Sequence, residues 1–219
     1  MIAESGAVAS SNAMTQLLEL HPKNPQVRLV RVAADAVRAG GVIVYPTDSC
    51  YALGCALGEK DAMERIARIR ETDKHHHFTL VCRDLSEIAR YARVENWQYR
   101  LLKACTPGPY TFILEATREV PRRLQNPKRR TIGLRVPAHP VPLLLLDELG
   151  EPLMSSTLSL PGDAYPLTDA REIKERLEHR VEVVLDGGNC GLEPTTVVDL
   201  AGGAPLLVRA GKGDVARFT

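Results

Sequence analysis

Hydroxyl-bearing and cationic residues recur at the ends of short apolar runs in this sequence, and chemistry is expected from them first. Pro46-Thr47-Asp48-Ser49-Cys50-Tyr51 follows the run Val42-Ile43-Val44-Tyr45. Three hydroxyls and a carboxylate at a strand end could grip the ammonium and polar side chain of an amino acid. The same residues could equally satisfy the backbone of a turn. In Thr131-Ile132-Gly133-Leu134-Arg135-Val136-Pro137, a strand period of two places Thr131, Gly133 and Arg135 on one face. An arginine on an interior strand needs a partner, either a ligand carboxylate or phosphate or a structural salt bridge. Ser155-Ser156-Thr157-Leu158-Ser159 offers hydroxyls to phosphate oxygens, and Pro194-Thr195-Thr196 and Val208-Arg209 repeat the theme near the C-terminus.

The familiar phosphate fingerprints are missing. No G-x-x-x-x-G-K-[ST], G-x-G-x-x-G or G-x-S-x-G occurs, and no paired-cysteine zinc spacing. Phosphates would therefore be met by side-chain cations and hydroxyls. The net charge is only +1, which excludes a generally basic protein and throws the weight onto local clusters. Arg118, Arg122, Arg123, Lys128, Arg129 and Arg130 stand against a single acid, Glu119. That run is either a solvated face or a set of RNA phosphate contacts. Arg65, Arg68, Arg70 and Lys74 form a second group around a predicted helix end. His75-His76-His77 would point alternately on a strand and has no third ligand nearby, so no metal site is expected and phosphate or RNA contact is the better reading.

The elements that must position these residues follow from periodicity. Val27, Val30, Ala34 and Val37 predict a helix stopped by Gly40-Gly41. Asp61 to Ile69 is amphipathic, Asp84 caps a helix carrying Leu85, Ile88 and Tyr91, and Val141 to Leu149 is a buried helix after Pro140. Thr168 is read as the N-cap of a helix over 169–177. Strands are predicted at 42–45, 78–81, 110–114, 131–136, 153–156, 181–185, 196–200 and 206–209. Early alternation of helix and strand with a strand-dense end argues a single α/β domain on a mixed parallel and antiparallel sheet flanked by helices.

A chain of 219 residues with 44% hydrophobic and 25% charged residues can bury one full core. Aromatics at 5% advertise no broad stacking surface for single strands. Five cysteines without C-x-x-C suit reduced, buried thiols in a cytosolic protein. No apolar stretch approaches the roughly 18 residues of a membrane span, so no membrane partner is expected. Residues 1–13 are small, polar and aperiodic; they read as an expression scar or tail, with the domain over 14–219.

Taken in order, these segments resemble the YrdC-like (threonylcarbamoyl-AMP synthase-like) family from Val27 to Arg209. The YciO subgroup also shares the Met14-to-Pro25 opening and Phe78-Thr79-Leu80-Val81-Cys82-Arg83-Asp84. The resemblance implies a twisted mixed sheet with a basic concave face, and binding of ATP with Mg²⁺, L-threonine, and double-stranded RNA or tRNA. It places Ser49, Tyr51, Arg135, Thr157 and Thr195 at amino-acid positions, and Arg70, His76, Thr131, Ser159 and Arg209 at nucleotide positions. Arg70 is the residue it puts nearest the chemistry.

The sequence departs from the synthases of that family at three points. Arg70-Glu71-Thr72 stands where they carry Lys-x-Arg, Thr157-Leu158-Ser159 where they carry Ser-x-Asn, and His76-His77 where they carry Asn-Pro. Arginine does not replace lysine neutrally at a phosphate clamp, and each lost transition-state contact costs about 10²–10³ in rate. The resemblance, with these departures, implies a cytoplasmic nucleotide- and RNA-binding protein tied to tRNA or ribosomal RNA modification or maturation, in which binding outlives synthesis. The alternative is an active nucleotidyltransferase, an L-threonylcarbamoyladenylate synthase using ATP, bicarbonate and L-threonine.

Overall fold

The computed structural model describes residues 14–72 and 78–218. Its elements in chain order begin β1 (Gln16–Glu19), α1 (Val27–Arg38), β2 (Ile43–Tyr45), β3 (Ala52–Ala56), α2 (Lys60–Arg70), β4 (Thr79–Val81), α3 (Leu85–Tyr91) and α4 (Asn96–Cys105). They continue β5 (Tyr110–Glu115), β6 (Thr131–Arg135), α5 (Pro140–Leu149), β7 (Leu153–Thr157), α6 (Ala170–Arg176), β8 (Val183–Asp186), β9 (Thr196–Asp199) and β10 (Leu206–Arg209). A 3₁₀ turn at Arg122–Leu124 breaks the basic stretch.

All ten strands join one sheet in the order β1-β8-β2-β3-β7-β4-β6-β5-β9-β10. Four parallel pairs (β1/β8, β2/β8, β4/β6, β5/β9) are mixed with antiparallel ones, as the mixed-sheet expectation required. Two neighbouring cross-strand rows define its character. Cys55, Met154, Leu80, Leu134, Phe112 and Val198 stand side by side on one face. All six belong to a core that α2, α3, α4 and α6 cover with Ile66, Ile88, Leu102 and Ile173. One residue along, Gly54, Ser155, Thr79, Gly133, Ile113 and Asp199 form the adjacent row, which faces the other way.

That second face is covered only in part. α1 and α5 pack Val30, Ala33, Ala34, Val37, Val141, Leu145 and Leu146 onto Ile43, Tyr45, Ala52, Val81, Leu153, Val183 and Leu185. The helices thus cover β8, β2, β3 and the near ends of β7 and β4. The rest of the face, over β6, β5 and β9, is left to polar side chains.

Local signals behave as physics expects, with exceptions. Gly40 takes φ 82° just past α1, a conformation that suits glycine. Asp84 caps α3 by accepting from the Glu87 amide at 2.9 Å. The cap of α6 is Asp169, which accepts from the Arg171 and Glu172 amides at 3.0 and 2.9 Å, so the helix starts one residue later than a Thr168 cap would place it. Val27, read as part of a buried stripe, is exposed at the first turn of α1. Three elements escape the periodicity reading. β1 is four residues long, β3 (Ala-Leu-Gly-Cys-Ala) is nearly all buried and so shows no alternation, and α4 opens on polar residues. The signal for α4 was its capping box, in which Glu95 and Gln98 exchange side-chain and backbone hydrogen bonds.

Candidate functional site

The uncovered part of the sheet face is the floor of a cavity of about 980 Å³. Alternate strand residues build that floor: Thr79 and Val81 of β4, Thr131, Gly133 and Arg135 of β6, Thr111 and Ile113 of β5, and Ser155 and Thr157 of β7. Gly133 lies centrally, where a Cβ would stand 3.3 Å from Thr111 Cγ2 and 3.5 Å from Thr79 Oγ1. Its missing side chain keeps the floor open. The walls come from Ser49-Cys50, Arg70, Ser159, Ala164-Tyr165-Pro166, Leu192-Glu193-Pro194-Thr195, Asn126, Arg129 and Arg209.

The segment after β2 combines both roles foreseen for it. Thr47 Oγ1 donates to the Cys50 carbonyl at 2.6 Å and accepts from the Ser49 amide at 3.1 Å, so the turn is self-bonded. Asp48 nevertheless reaches the Arg135 guanidinium, and both side chains are almost wholly buried. The pair is incompletely satisfied: Asp48 Oδ2 and Arg135 Nε are buried without a hydrogen bond. Leaving a buried acceptor and donor over is costly, and of the pair Arg135 lines the cavity.

Cations converge from distant parts of the chain. Arg70, in the last turn of α2, donates to Ser156 Oγ. Arg209, on β10, is held by the Thr195 carbonyl at 2.9 Å through Nη2 and 3.3 Å through Nε, and Thr195 Oγ1 lies 2.9 Å from Thr111 Oγ1. Burial pushes the Arg70 guanidinium below its ordinary value, and the charge of Arg209 pushes it further; burial also lowers Arg209. Arg209 makes no ion pair among the described residues. The two arginines share a recess lined with hydroxyls. Across the sheet, burial raises the Tyr45 phenol to about 12, so it stays protonated against Ser155 Oγ at 2.6 Å.

Most of the residues singled out in the sequence meet here. Ser49, Arg70, Thr131, Arg135, Thr157, Ser159, Thr195 and Arg209 all line the cavity. Tyr51 does not: it is buried behind the wall, and its hydroxyl donates to the Gly188 carbonyl at 2.7 Å. A buried Tyr must satisfy its hydroxyl locally, which removes it from the ligand side. His76, with His75, His77 and Lys74, lies outside the described residues. Leu158, between two lining hydroxyls, is fully buried in the helical-face core.

The basic stretch divides. Arg129 lines the cavity and pairs with Asp199, while Arg123 donates to the Gly58 carbonyl. Arg118, Arg122, Lys128 and Arg130 remain exposed on the same segment. From the second group, Arg65 is spent on Glu182, at 2.8 Å. Sequence reasoning passed over Thr79, Thr111, Tyr165 and Glu193, all of which line the cavity. For the two threonines a signal existed, since each is a lone hydroxyl at an alternate position in an apolar strand. Among the described residues no three His, Cys, Asp or Glu side chains gather into a metal site, and no helix is long and apolar enough to cross a membrane.

Fold and cavity define an α/β protein with one half-covered sheet face and a hydroxyl-lined, arginine-walled recess. The family model described as telomere recombination, Sua5/YciO/YrdC, matches residues 35–211, and the chain belongs to that family. It is 55% identical to the uncharacterized protein YciO of Escherichia coli K12, over 94% of this chain and all of that one. The E. coli YciO crystal structure superposes with a TM-score of 0.90 over 94% of this chain and 100% of that chain, at 54% identity. A threonylcarbamoyl-AMP synthase of Halorhodospira halophila is 32% identical over 81% of this chain and 93% of its own length. Sua5 of Pyrococcus abyssi, complexed with L-threonine, superposes with a TM-score of 0.82 at 25% identity, over 90% of this chain and 58% of its own.

Proposed function

We propose that the open half of the sheet binds ATP together with a small amino acid, and that structured RNA docks on the exposed cations of the 118–130 stretch. The observation that carries this reading is the gathering of Arg70, Arg135 and Arg209 around one hydroxyl-lined recess. A triphosphate suits a recess that gathers several arginines, and Ser159, Thr131 and Thr157 supply donors to its oxygens. Mg²⁺ would arrive on the phosphates, since Glu193 is the sole carboxylate among the lining residues. The amino acid belongs beside Ser49, Thr195 and Arg135, whose hydroxyls and guanidinium line the cavity and suit its polar groups. L-Threonine is the amino acid of choice, by analogy with the relative crystallised with it.

RNA would be held through phosphates by Arg118, Arg122, Lys128 and Arg130, and read by shape and backbone. Its affinity should fall steeply with salt, and reversing Arg122 and Lys128 to glutamate should flatten that dependence by roughly 0.9 in logarithmic slope per lost contact. The cellular role is a cytoplasmic one in tRNA or ribosomal RNA modification or maturation.

A second reading, active L-threonylcarbamoyladenylate synthase, is favoured by the kinship with proteins of that name. Weighing against it are Arg70, Thr72 and Ser159, where the synthase pattern carries Lys, Arg and Asn. Pyrophosphate release from ATP separates the two. Release that requires both L-threonine and bicarbonate establishes the synthase. ATP binding without that release establishes the binding protein.

A further inference from the structure

Past β10 the chain turns back against the start of β9 as a strap, and two glycines let it lie close. A Cβ on Gly211 would stand 2.4 Å from the Pro194 carbonyl oxygen, and one on Gly213 would stand 2.4 Å from the Tyr110 ring. Neither position admits a side chain without displacing its neighbours. The strap is bonded where it is pressed. The Lys212 amide donates to the Pro194 carbonyl at 2.9 Å, the Gly211 amide to Thr196 Oγ1 at 3.0 Å, and Thr196 Oγ1 to the Gly213 carbonyl at 2.6 Å. Tyr110 anchors the far end, donating to the Asp214 carbonyl at 3.3 Å and meeting Phe218 edge-on at 6.0 Å. Between the two glycines the one side chain is that of Lys212. Its ammonium donates to the Asp48 carbonyl at 2.6 Å, across a sequence separation of 164. Among the described residues Lys212 makes no ion pair, and the Asp48 carbonyl accepts no other hydrogen bond.

We infer that Lys212 is a positioning residue: through the Asp48 carbonyl it holds the turn over residues 47–50 in the shape that presents Ser49 to the cavity. The inference rests on the amino-acid reading of that cavity and adds to it the group that fixes one wall. Asp48 is held from two sides. Its carboxylate pairs with Arg135 of β6, and its carbonyl takes the ammonium of the strap. The bonds from Thr47 Oγ1 to the Cys50 carbonyl and from the Ser49 amide to Thr47 Oγ1 close the turn upon itself without fixing it against the strap. A second wall meets them. A Cβ on Gly191 would lie 2.9 Å from the Ser49 carbonyl oxygen and 3.7 Å from Lys212 Nζ, so turn, strap and the segment leading to Thr195 converge on the ammonium. A charged donor on a carbonyl is stronger than a neutral one. Its effect is local. Arg70, Thr131 and Ser159, proposed for the triphosphate, stand on α2, on β6 and beyond β7, and Arg209 is held by the Thr195 carbonyl rather than by Lys212.

The test titrates L-threonine and MgATP separately into the full-length protein, comparing the natural chain with Lys212→Met and Lys212→Arg. Methionine keeps an unbranched stem and removes the donors, and arginine returns them. Because Lys212 is exposed, neither substitution should move the melting temperature. The expected result is L-threonine affinity weakened about tenfold in Lys212→Met and recovered in Lys212→Arg, with ATP affinity held within about twofold throughout. L-Threonine affinity untouched by Lys212→Met overturns the inference and leaves the amino-acid site standing. Equal losses of L-threonine and ATP affinity, or a melting temperature that falls with them, also overturn it, because they mark Lys212 as a general brace of the fold. A natural chain that binds no L-threonine overturns the inference together with the amino-acid reading beneath it.

Discussion

One face of the sheet is finished in two different ways, and the contrast shows how a single fold provides both rigidity and a site. Over β8, β2 and β3, the inward residues are Val183, Leu185, Ile43, Tyr45 and Ala52, and helices α1 and α5 close over them. Over β6, β5 and β9, the same alternation delivers Thr131, Gly133, Arg135, Thr111, Ile113 and Val197, and no helix follows. The backbone geometry is continuous across the boundary. The difference is one of side chains: apolar rows recruit a covering layer because burial is favourable, and hydroxyl rows stay hydrated until a ligand replaces the water. The opposite face, apolar from Cys55 to Val198, carries the mechanical continuity for both halves.

The junction is the place to break this contrast hardest. Asp48 and Arg135 form a nearly buried ion pair where the covered half ends. Asp48→Ala strands the Arg135 charge and should cost about 3–5 kcal/mol of stability, read by denaturant unfolding. A cost within surface-mutation range would mean that water already reaches Arg135. Next comes the covered half itself. Leu145→Ala should cost about 2–5 kcal/mol through lost burial and a cavity, while the folded remainder keeps its ATP affinity. A matching loss of affinity would show the two halves to be coupled.

The smallest effect is titrational. Burial raises the Cys190 thiol to about 11 and the Cys55 thiol to about 12, each from an ordinary 9.0. The folded chain therefore keeps protons that the unfolded chain releases. The stability this contributes is complete below pH 9 and is lost as pH climbs from 9 through those raised values. Melting temperature should fall over that alkaline window, and Cys55→Ala should lessen the slope.

The architecture was largely legible because the sheet's apolar runs and the amphipathic α1 and α2 obey their periods. β3 was not, since burial on both faces removes alternation from Ala52–Ala56. The site was legible one residue at a time, as hydroxyls at strand ends, but its assembly was not. Arg70 and Arg209 are separated by most of the chain and share one cavity lining only in the finished fold. Tyr51 shows the limit in the other direction. Its place in the hydroxyl-rich segment marked it for the ligand, and the inward turn of its side chain toward Gly188 took it away. Nothing in residue type announces that turn.

The central claim is that the uncovered half of the sheet is a nucleotide site built on converging arginines. Calorimetric titration of MgATP into the natural chain and into Arg209→Ala tests it most directly. Loss of one charged contact of about 1.5–3 kcal/mol predicts saturable binding to the natural chain and affinity roughly ten- to a hundredfold weaker in the variant, with an unchanged melting temperature. Equal ATP affinity for both chains would contradict it.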